Sequence, residues 1–306
     1  MALIKTLLYC GRKREAHMNR RKFLHASGIG ALSLHSFPYR LFASDTKKQA
    51  TDRIQLGPRK IEVSRLAMGT GTSGWGGSSN QTRKLGRQGL AELLRAAVDQ
   101  GVTFWDSADQ YGSHAHLREA LKTTPRERVT ILTKTNSETA AEVKADIDRF
   151  RRELGTDYID ILLLHKMEDA DWNVKMRGPM DVISEAQQKG MVRSHGTSCH
   201  TLEALKTAAR EPWVEIDLAR INPAEMHMDS DPQTVLSVLR QMKQAGKGVI
   251  GMKILGQGGL RGKVDQALQF SLSQQPQAID CFTIGSESRA EMEDLLKKIP
   301  AASTRG

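Results

Sequence analysis

Beyond residue 60 the chain alternates eight times between a short apolar run and a longer stretch in which apolar residues recur at helical spacing. The apolar runs cover residues 66–69, 103–106, 129–133, 158–164, 192–197, 215–221, 248–254 and 278–284. Helical spacing marks residues 89–100, 116–121, 140–154, 179–189, 201–210, 232–245, 263–273 and 289–298. Short, predominantly apolar runs are typical of parallel strands covered on both faces. Eight such units over about 240 residues predict an α/β chain closed into a (β/α)8 TIM barrel rather than an open doubly wound sheet.

Two short alternating runs, residues 54–57 and 61–63, precede the first unit and are separated by Gly57-Pro58. This pattern predicts an N-terminal β-hairpin. No G-x-G-x-x-G follows the first apolar run of the barrel, which counts against a Rossmann domain. We therefore expect a barrel domain over residues 51–306, preceded by a leader and linker over residues 1–50.

The positive charge of the chain is concentrated near its start. The net charge is +10, and the first 60 residues carry thirteen Lys and Arg against three acidic residues, which accounts for all of it. The remainder is close to neutral, so no nucleic-acid partner is expected.

The leader contains Asn19-Arg20-Arg21-Lys22-Phe23-Leu24, followed by a weakly apolar stretch over residues 26–43. This arrangement resembles a twin-arginine export signal, and it implies that the twin-arginine export machinery is a partner and that the protein is periplasmic or otherwise exported. Met18 stands where such a signal would begin, so residues 1–17 are either an upstream extension or an untranslated segment. The apolar stretch is too short and too polar for a stable membrane span. A disordered basic tail on a cytoplasmic protein is the alternative.

Polar side chains follow several predicted strands at their carboxyl ends, the face on which TIM barrels build their sites. They are Asp106, Tyr111, Lys134, His165, Ser198, Asn222 and Ser286. The first four form a coherent acid–base set. The ordinary pKa of tyrosine, about 10, is too high for easy proton donation, and a neighbouring lysine ammonium held by an aspartate is expected to lower it. A histidine at the same mouth can hydrogen-bond a substrate oxygen, so the set suits protonation of a carbonyl oxygen as hydride reaches its carbon.

Each of these residues alone also fits a turn, a solvated side chain or a helix cap, but together they resemble the aldo/keto reductase superfamily. The matching segments are residues 63–70, Trp105-Asp106-Ser107-Ala108-Asp109-Gln110-Tyr111-Gly112, Leu132-Thr133-Lys134-Thr135 and Asp160-Ile161-Leu162-Leu163-Leu164-His165, with weaker matches at Gly196-Thr197-Ser198 and Ile284-Gly285-Ser286. The resemblance implies Tyr111 as general acid, Lys134 and Asp106 as the pair that tunes it, and His165 as the residue that orients the substrate. It also implies NADP(H) or NAD(H) as cofactor and a small-molecule carbonyl or alcohol as substrate.

The resemblance further implies cofactor-binding positions, and several of them carry unusual residues. Where the family has Ser-Asn for the nicotinamide carboxamide, this chain has Ser198-Cys199, and a glutamine that assists there falls on Leu218. Lys253, followed by Gly256, takes the place of an aromatic residue that stacks on the nicotinamide ring.

The phosphate-binding end of the cofactor site is altered as well. Gly285, Ser286 and Arg289 are expected to cradle a phosphate at the start of the last helix. The family's arginine for the 2′-phosphate of NADP falls on Glu291, which leaves both NAD and NADP open.

These substitutions leave a second function open: an exported barrel with an altered cofactor site that acts as a binding or redox-partner protein. Cys199 and Cys281 lack metal-ligand spacing, so no metal site is expected. They are interpreted as buried thiols, with a disulfide as the alternative. Trp75 and Trp172 are candidate walls of a substrate pocket, and the loops that carry them do not identify the substrate.

Overall fold

A closed barrel of eight parallel strands forms the centre of the computed structural model, which describes residues 47–304. The predicted export signal lies outside the described residues. Two antiparallel strands, β1 (Arg53–Leu56) and β2 (Ile61–Ser64), precede the barrel. The barrel strands are β3 (Leu66–Gly69), β4 (Phe104–Asp106), β5 (Thr130–Thr135), β6 (Ile159–Met167), β7 (Val192–Cys199), β8 (Ile216–Arg220), β9 (Gly248–Met252) and β10 (Cys281–Ile284). They follow one another in chain order, and β10 pairs with β3, so the predicted (β/α)8 barrel and its N-terminal hairpin are confirmed.

Helices follow the barrel strands and cover the outside of the barrel. They are α1 (Asn80–Asp99), α2 (His114–Leu121), α3 (Ala140–Leu154), α4 (Trp172–Lys175), α5 (Arg177–Gln188), α6 (Leu202–Arg210), α7 (Pro232–Gln244), α8 (Val264–Ser273) and α9 (Arg289–Ala302). The first helix begins nine residues earlier than the apolar spacing indicated, because a capping box between Ser79 and Thr82 starts it in a polar stretch. The short α4 lies in a stretch expected to be a loop.

Side chains along the strands alternate between the inside of the barrel and the helix layer. Phe104, Leu132 and Leu163 pack with the residues inside the barrel, whereas their sequence neighbours Trp105 and Ile131 pack against the helices. All five are fully buried. The alternation determines which side chains point inward at each strand end, and hence which can form a site at the barrel mouth.

The N-terminal hairpin closes the amino-terminal end of the barrel. Leu56 and Ile61 belong to the interior apolar cluster. Ser64 Oγ accepts a hydrogen bond from the backbone N–H of Phe104, the first residue of β4, at 3.1 Å. With this end filled by the hairpin, the carboxyl end of the strands is the face left for a binding site.

Two further features of the described region bear on the sequence expectations. Cys199 and Cys281 are both buried free thiols, as their sequence positions indicated. Within residues 47–304, no helix combines the length and the apolar character that crossing a bilayer requires.

The hairpin is predicted to contribute strongly to stability. Leu56→Ala removes a fully buried side chain from the base of the barrel, and we expect it to lower the free energy of unfolding by about 2–5 kcal/mol. The measurement is urea unfolding followed by circular dichroism. The matched control is Gln55→Ala, an exposed neighbour on the same strand, which should change stability by less than about 0.5 kcal/mol. Equal effects of the two substitutions would contradict the assigned role of the hairpin.

Candidate active site

Three neighbouring strands end in inward-facing polar side chains. Asp106 ends β4, Lys134 lies near the end of β5 and His165 lies near the end of β6. Each follows by two residues an apolar side chain that packs inside the barrel, so the alternation of the strands directs all three to the same mouth. All three side chains are buried.

Lys134 and Asp106 form an ion pair inside the barrel. Lys134 Nζ donates to Asp106 Oδ1 at 2.5 Å and to the carbonyl oxygen of Ser107 at 2.6 Å. The Thr283 hydroxyl donates to Asp106 Oδ2 at 2.9 Å, so both carboxylate oxygens are engaged. Burial lowers the pKa of Lys134, but Asp106 and Tyr111 outweigh burial and hold that pKa above its ordinary value. The ammonium therefore stays charged at neutral pH.

Tyr111 ends a single 3₁₀ turn, Asp109–Tyr111, shortly after β4. Lys134 Nζ lies 4.9 Å from the centroid of the tyrosine ring. The loop that follows β3 packs closely on the same ring: a Cβ placed on Gly71 or Gly74 would lie 2.1 or 2.3 Å from ring atoms. Only glycine fits at these two positions, and the close packing fixes the phenol beside the ion pair.

The proton affinity of Tyr111 differs from the sequence expectation. Burial is the dominant influence and raises its pKa, Lys134 lowers it and Asp106 raises it, so that the net pKa lies above the ordinary value of tyrosine. Lys134 does lower the pKa of Tyr111, as expected. The expectation of a lowered pKa is nevertheless wrong once burial and Asp106 are included, because the sequence does not reveal how tightly the ring is packed. At neutral pH the resting side chain is a neutral phenol.

His165 is a neutral imidazole in contact with the tyrosine. Its ring meets the Tyr111 ring edge-on, with centroids 5.8 Å apart. Burial first, and then the charge of Lys134, lowers its pKa well below the ordinary value. Its Nδ1 lies 3.0 Å from Asn136 Oδ1, and an amide oxygen only accepts hydrogen bonds, so Nδ1 carries the proton and Nε2 presents a lone pair. Nothing in the sequence, apart from its position directly after β5, indicated that Asn136 belongs to the site.

A cavity of about 360 Å³ opens beside Asp106 and Tyr111 and extends past the ends of β9 and β10 to α9. Three predicted cofactor-binding residues line it: Lys253, Gly285 and Ser286. Met252 also lines it, two residues after Ile250 in the interior of the barrel, and strand alternation could have identified it. Arg261 lines it from an irregular turn that the sequence pattern did not indicate.

Ser198 and Cys199 lie outside the wall of this cavity. Ser198 is fully buried, and its Oγ accepts a hydrogen bond from the backbone N–H of Lys166 at 3.1 Å. Cys199 packs in the apolar layer between strands and helices, with Sγ 3.9 Å from Asp217 Oδ2. Burial raises the pKa of the Cys199 thiol well above its ordinary value. In this structure the thiol has the environment of a core residue.

Gly256 and Arg289 also lie outside the cavity wall. Gly256 packs under Met226, whose sulfur would lie 2.9 Å from an added Cβ. The Arg289 side chain is 69% exposed and pairs with Glu293 at 2.8 Å along the surface of α9. The helical periodicity of α9 directs Arg289 to solvent, and its position in the sequence alone did not reveal this.

The expected phosphate cradle at the start of α9 already holds a carboxylate of the protein. Glu291 Oε2 accepts a hydrogen bond from the backbone N–H of Glu287 at 2.7 Å. The Ser288 hydroxyl caps the helix by accepting from the N–H of Glu291 at 3.1 Å. An incoming phosphate group would have to replace the Glu291 carboxylate there.

Two features outside the cavity have structural explanations. Asp109, His114 and Glu153 bring ligand atoms within 4.8 Å of one another, but Arg149 donates to Asp109 at 2.7 Å and to Glu153 at 3.1 Å and so supplies the positive charge. Trp172, a predicted pocket wall, is buried outside the cavity, and its Nε1–H donates a hydrogen bond to the backbone carbonyl oxygen of Ala204 at 3.1 Å. Trp75 is 68% exposed.

The fold and the site together define a class: a (β/α)8 barrel with a buried Asp–Lys pair, a tyrosine and a histidine at the carboxyl ends of its strands. Residues 65–302 match the aldo/keto reductase family, and the chain belongs to that family.

Individual relatives are named as reductases or dehydrogenases. The chain is 30% identical over 164 residues to aldo-keto reductase YhdN of Bacillus subtilis (strain 168), covering 48% of this chain and 46% of that one. It is 24% identical over 225 residues to D-threo-aldose 1-dehydrogenase of a Pseudomonas species, covering 63% and 66%. The chain thus spans about half to two thirds of the length of these curated relatives. A crystal structure of a putative aldo-keto reductase from Pseudomonas aeruginosa has the same fold, with a TM-score of 0.68 at 20% identity over 84% of this chain and 97% of that one.

The ion pair predicts a specific pattern of stability. Lys134→Met leaves the Asp106 carboxylate buried without its partner, so the free energy of unfolding should fall by about 3–5 kcal/mol. Adding Asp106→Asn removes the uncompensated charge and keeps an acceptor for Thr283, so the double variant should regain most of that loss. Urea unfolding of both variants at neutral pH makes the measurement. A double variant no more stable than Lys134→Met would contradict the pairing.

Proposed function

We propose that this protein is a nicotinamide-dependent oxidoreductase that interconverts a carbonyl and an alcohol, with Tyr111 as the general acid and base. The observation that carries the proposal is the cluster of Tyr111, Lys134, Asp106 and His165 at the carboxyl end of the barrel, in which Asp106 and Tyr111 line the cavity, Lys134 contacts both of them and His165 contacts Tyr111. Membership of the aldo/keto reductase family and the names of the relatives support the same class of reaction.

The cavity has features that fit a dinucleotide cofactor. Among the described residues, the buried Ser286 Oγ has no hydrogen-bond partner, although it lies at the cavity wall. A Cβ on Gly285 would lie 2.4 Å from Thr72 Oγ1, so this part of the wall has no room for a side chain. We assign Ser286, Gly285 and Arg261 to cofactor binding. When bound, NADP(H) or NAD(H) supplies or accepts the hydride.

The residues of the chain supply the proton chemistry. The neutral phenol of Tyr111 donates its proton to the carbonyl oxygen as the carbonyl carbon is reduced, and in the reverse direction the phenolate takes the proton from the alcohol. Lys134 stabilises the phenolate by its charge, and Asp106 keeps the lysine in place. His165 orients the substrate by accepting a hydrogen bond at Nε2 from a substrate hydroxyl. Asn136 fixes the tautomer that makes this acceptance possible.

We propose NAD(H) as the preferred cofactor, because the far end of the cavity is acidic. Glu291 and Asp294 line that end together with Lys298, whose ammonium is already paired with Asp294 at 2.7 Å. With the reacting end of the dinucleotide at Tyr111, its adenosine falls toward these carboxylates. Carboxylates accept ribose hydroxyls and repel a 2′-phosphate.

The alternative function, a binding or redox-partner protein without turnover, receives less support. Its motivation was the set of altered positions Cys199, Leu218 and Lys253. Cys199 and Leu218 pack in the core as buried apolar residues do, so they do not indicate a new binding surface. The family relatives named above are enzymes by name.

The acid–base role predicts the behaviour of Tyr111→Phe. Purified wild-type protein should oxidise NADH in the presence of a panel of small aldehydes, and Tyr111→Phe should lower kcat by about 10²–10⁴-fold, the usual contribution of a general acid. Steady-state rates from the absorbance of the reduced nicotinamide make the measurement.

Cofactor binding is the control for that variant. Fluorescence quenching should show NADH bound to both proteins with similar affinity, and more tightly than NADPH. If neither nucleotide binds below millimolar concentration, or if the variant keeps its turnover, the proposed function is wrong.

We also propose that the protein leaves the cytoplasm through the twin-arginine pathway, on the basis of Arg20-Arg21 and the following Phe23-Leu24. Arg20→Lys together with Arg21→Lys should hold the protein in the cytoplasmic fraction of fractionated cells. Arg12→Lys with Arg14→Lys, in the same leader, should leave export intact. Wild-type protein found only in the cytoplasmic fraction would show that the cytoplasmic alternative is right, and continued export of the first variant would rule out the twin-arginine route.

A further inference from the structure

The barrel mouth carries more positive charge than the acid–base set uses. Arg220 ends β8 and is paired with Asp229, with Nε 3.0 Å from Oδ1. Lys166, near the end of β6, lies 3.2 Å from Glu168. The ammonium of Lys253 is different, because it forms no hydrogen bond or ion pair with any residue in the described part of the chain.

Lys253 stands at the reacting end of the cavity, whose wall it shares with Asp106 and Tyr111. It directly follows β9 in the left-handed region of the backbone, with φ +59°, which is uncommon for a residue other than glycine. Asn222 Nδ2 donates to its carbonyl oxygen at 3.2 Å and holds this turn. The lysine therefore occupies a fixed place beside the acid–base set.

Three groups at the mouth respond to the same positive potential. Burial, followed by the charges of Arg220 and Lys134, lowers the pKa of Lys253 to about 8. Burial, followed by Arg220 and Lys253, lowers the pKa of His200 to about 3. His165 is affected in the same direction. A partly buried cation without a partner is unfavourable until a counter-charge arrives.

The counter-charge belongs on the substrate side of the mouth. The cavity leads from Tyr111 toward β10 and α9, where the cofactor is assigned. Lys166 and Arg220 lie on the opposite side of the mouth, at the ends of β6 and β8. Lys253 follows β9, which lies between β8 and β10 in the barrel. A ligand group next to Lys253 therefore approaches the face of the mouth that the cofactor leaves open.

We propose that Lys253 binds an acidic group of the substrate, and that the substrate is a carbonyl or hydroxy compound with a carboxylate close to the reacting carbon. The proposal rests on the proposed function for the reaction at that carbon. One unpaired ammonium matches one negative charge, which favours a carboxylate over a phosphate. The same charge could come from the cofactor diphosphate, and the experiment separates these two sources.

The first test is binding without turnover, in the Tyr111→Phe background. Calorimetric titration compares matched acidic and neutral ligands: glycolate with glycolamide, and L-lactate with L-lactamide. We expect the acids to bind more tightly than their neutral counterparts, and Lys253→Met to weaken the acids by about 10- to 100-fold relative to the neutral ligands, the range for a hydrogen bond to a charged group. Lys253→Arg should restore part of the preference.

A matched control uses a lysine of the same face whose charge is already paired. Lys166→Met should change the acid-to-neutral ratio by far less than Lys253→Met. Equal effects of the two lysines, or no preference for acids in the protein with Lys253, would overturn the proposal. A loss of NADH affinity in Lys253→Met with an unchanged acid-to-neutral ratio would also overturn it, by assigning the lysine to the cofactor diphosphate.

The second test is turnover with Tyr111 intact. Glyoxylate is compared with methyl glyoxylate, and succinic semialdehyde with butanal, by steady-state kinetics with NADH. In Lys253→Met the KM ratio of acid to neutral substrate should rise by the same factor as the binding ratio. If the acids bind through Lys253 but no compound turns over, the substrate assignment stands as ligand recognition and the proposed oxidoreductase function fails.

Discussion

The buried ion pair between Asp106 and Lys134 is the interaction on which the rest of the site depends. An ammonium with no exposed surface is tolerated inside a barrel only where oxygen atoms replace its water. Asp106 and the Ser107 carbonyl provide these atoms, and Thr283 on β10 holds the carboxylate from two strands away. Because β10 is the strand that closes the barrel against β3, the geometry of the charged pair and the closure of the barrel are linked. A change at either would disturb both.

The ion pair also influences the pKa of Tyr111. The tight packing of Gly71 and Gly74 on its ring removes part of the ring from water, and this burial raises the pKa of the phenol. Lys134 opposes the rise without cancelling it. The result is a side chain that keeps its proton at rest and has a cation beside it. In the proposed mechanism this cation stabilises the phenolate once the proton has moved to a substrate oxygen. The packing that fixes the position of the ring thus also determines its proton affinity.

Much of the fold, and the acid–base part of the site, could be predicted because both follow from local alternation. Eight apolar runs that alternate with helical stretches indicate the barrel. Asp106, Lys134 and His165 each lie two residues after an apolar side chain that points into the barrel, so they are expected at its mouth. Which side chains contact one another across the barrel mouth could not be predicted in this way. Asn136 meets His165 only through the pairing of β5 with β6. Arg220 was missed because its role depends on the charges around it, which come from segments distant in sequence.

The cofactor positions show the limit of the same reasoning. Cys199 follows an inward residue at the strand end and so turns toward the helix layer, while Arg289 lies on the solvent side of its helix. Their positions within the family's motifs predicted that both side chains would lie at the barrel mouth. In the structure neither lines the cavity there. The cavity that remains differs in charge between its two ends. One end has the unpaired ammonium of Lys253, and the far end has Glu291 together with Asp294, which is paired with Lys298. Because Coulomb interactions strengthen where water is excluded, this distribution supports the two proposed preferences, for an acidic substrate at one end and for a nucleoside without an added phosphate at the other. Both preferences therefore follow from a single arrangement of charge.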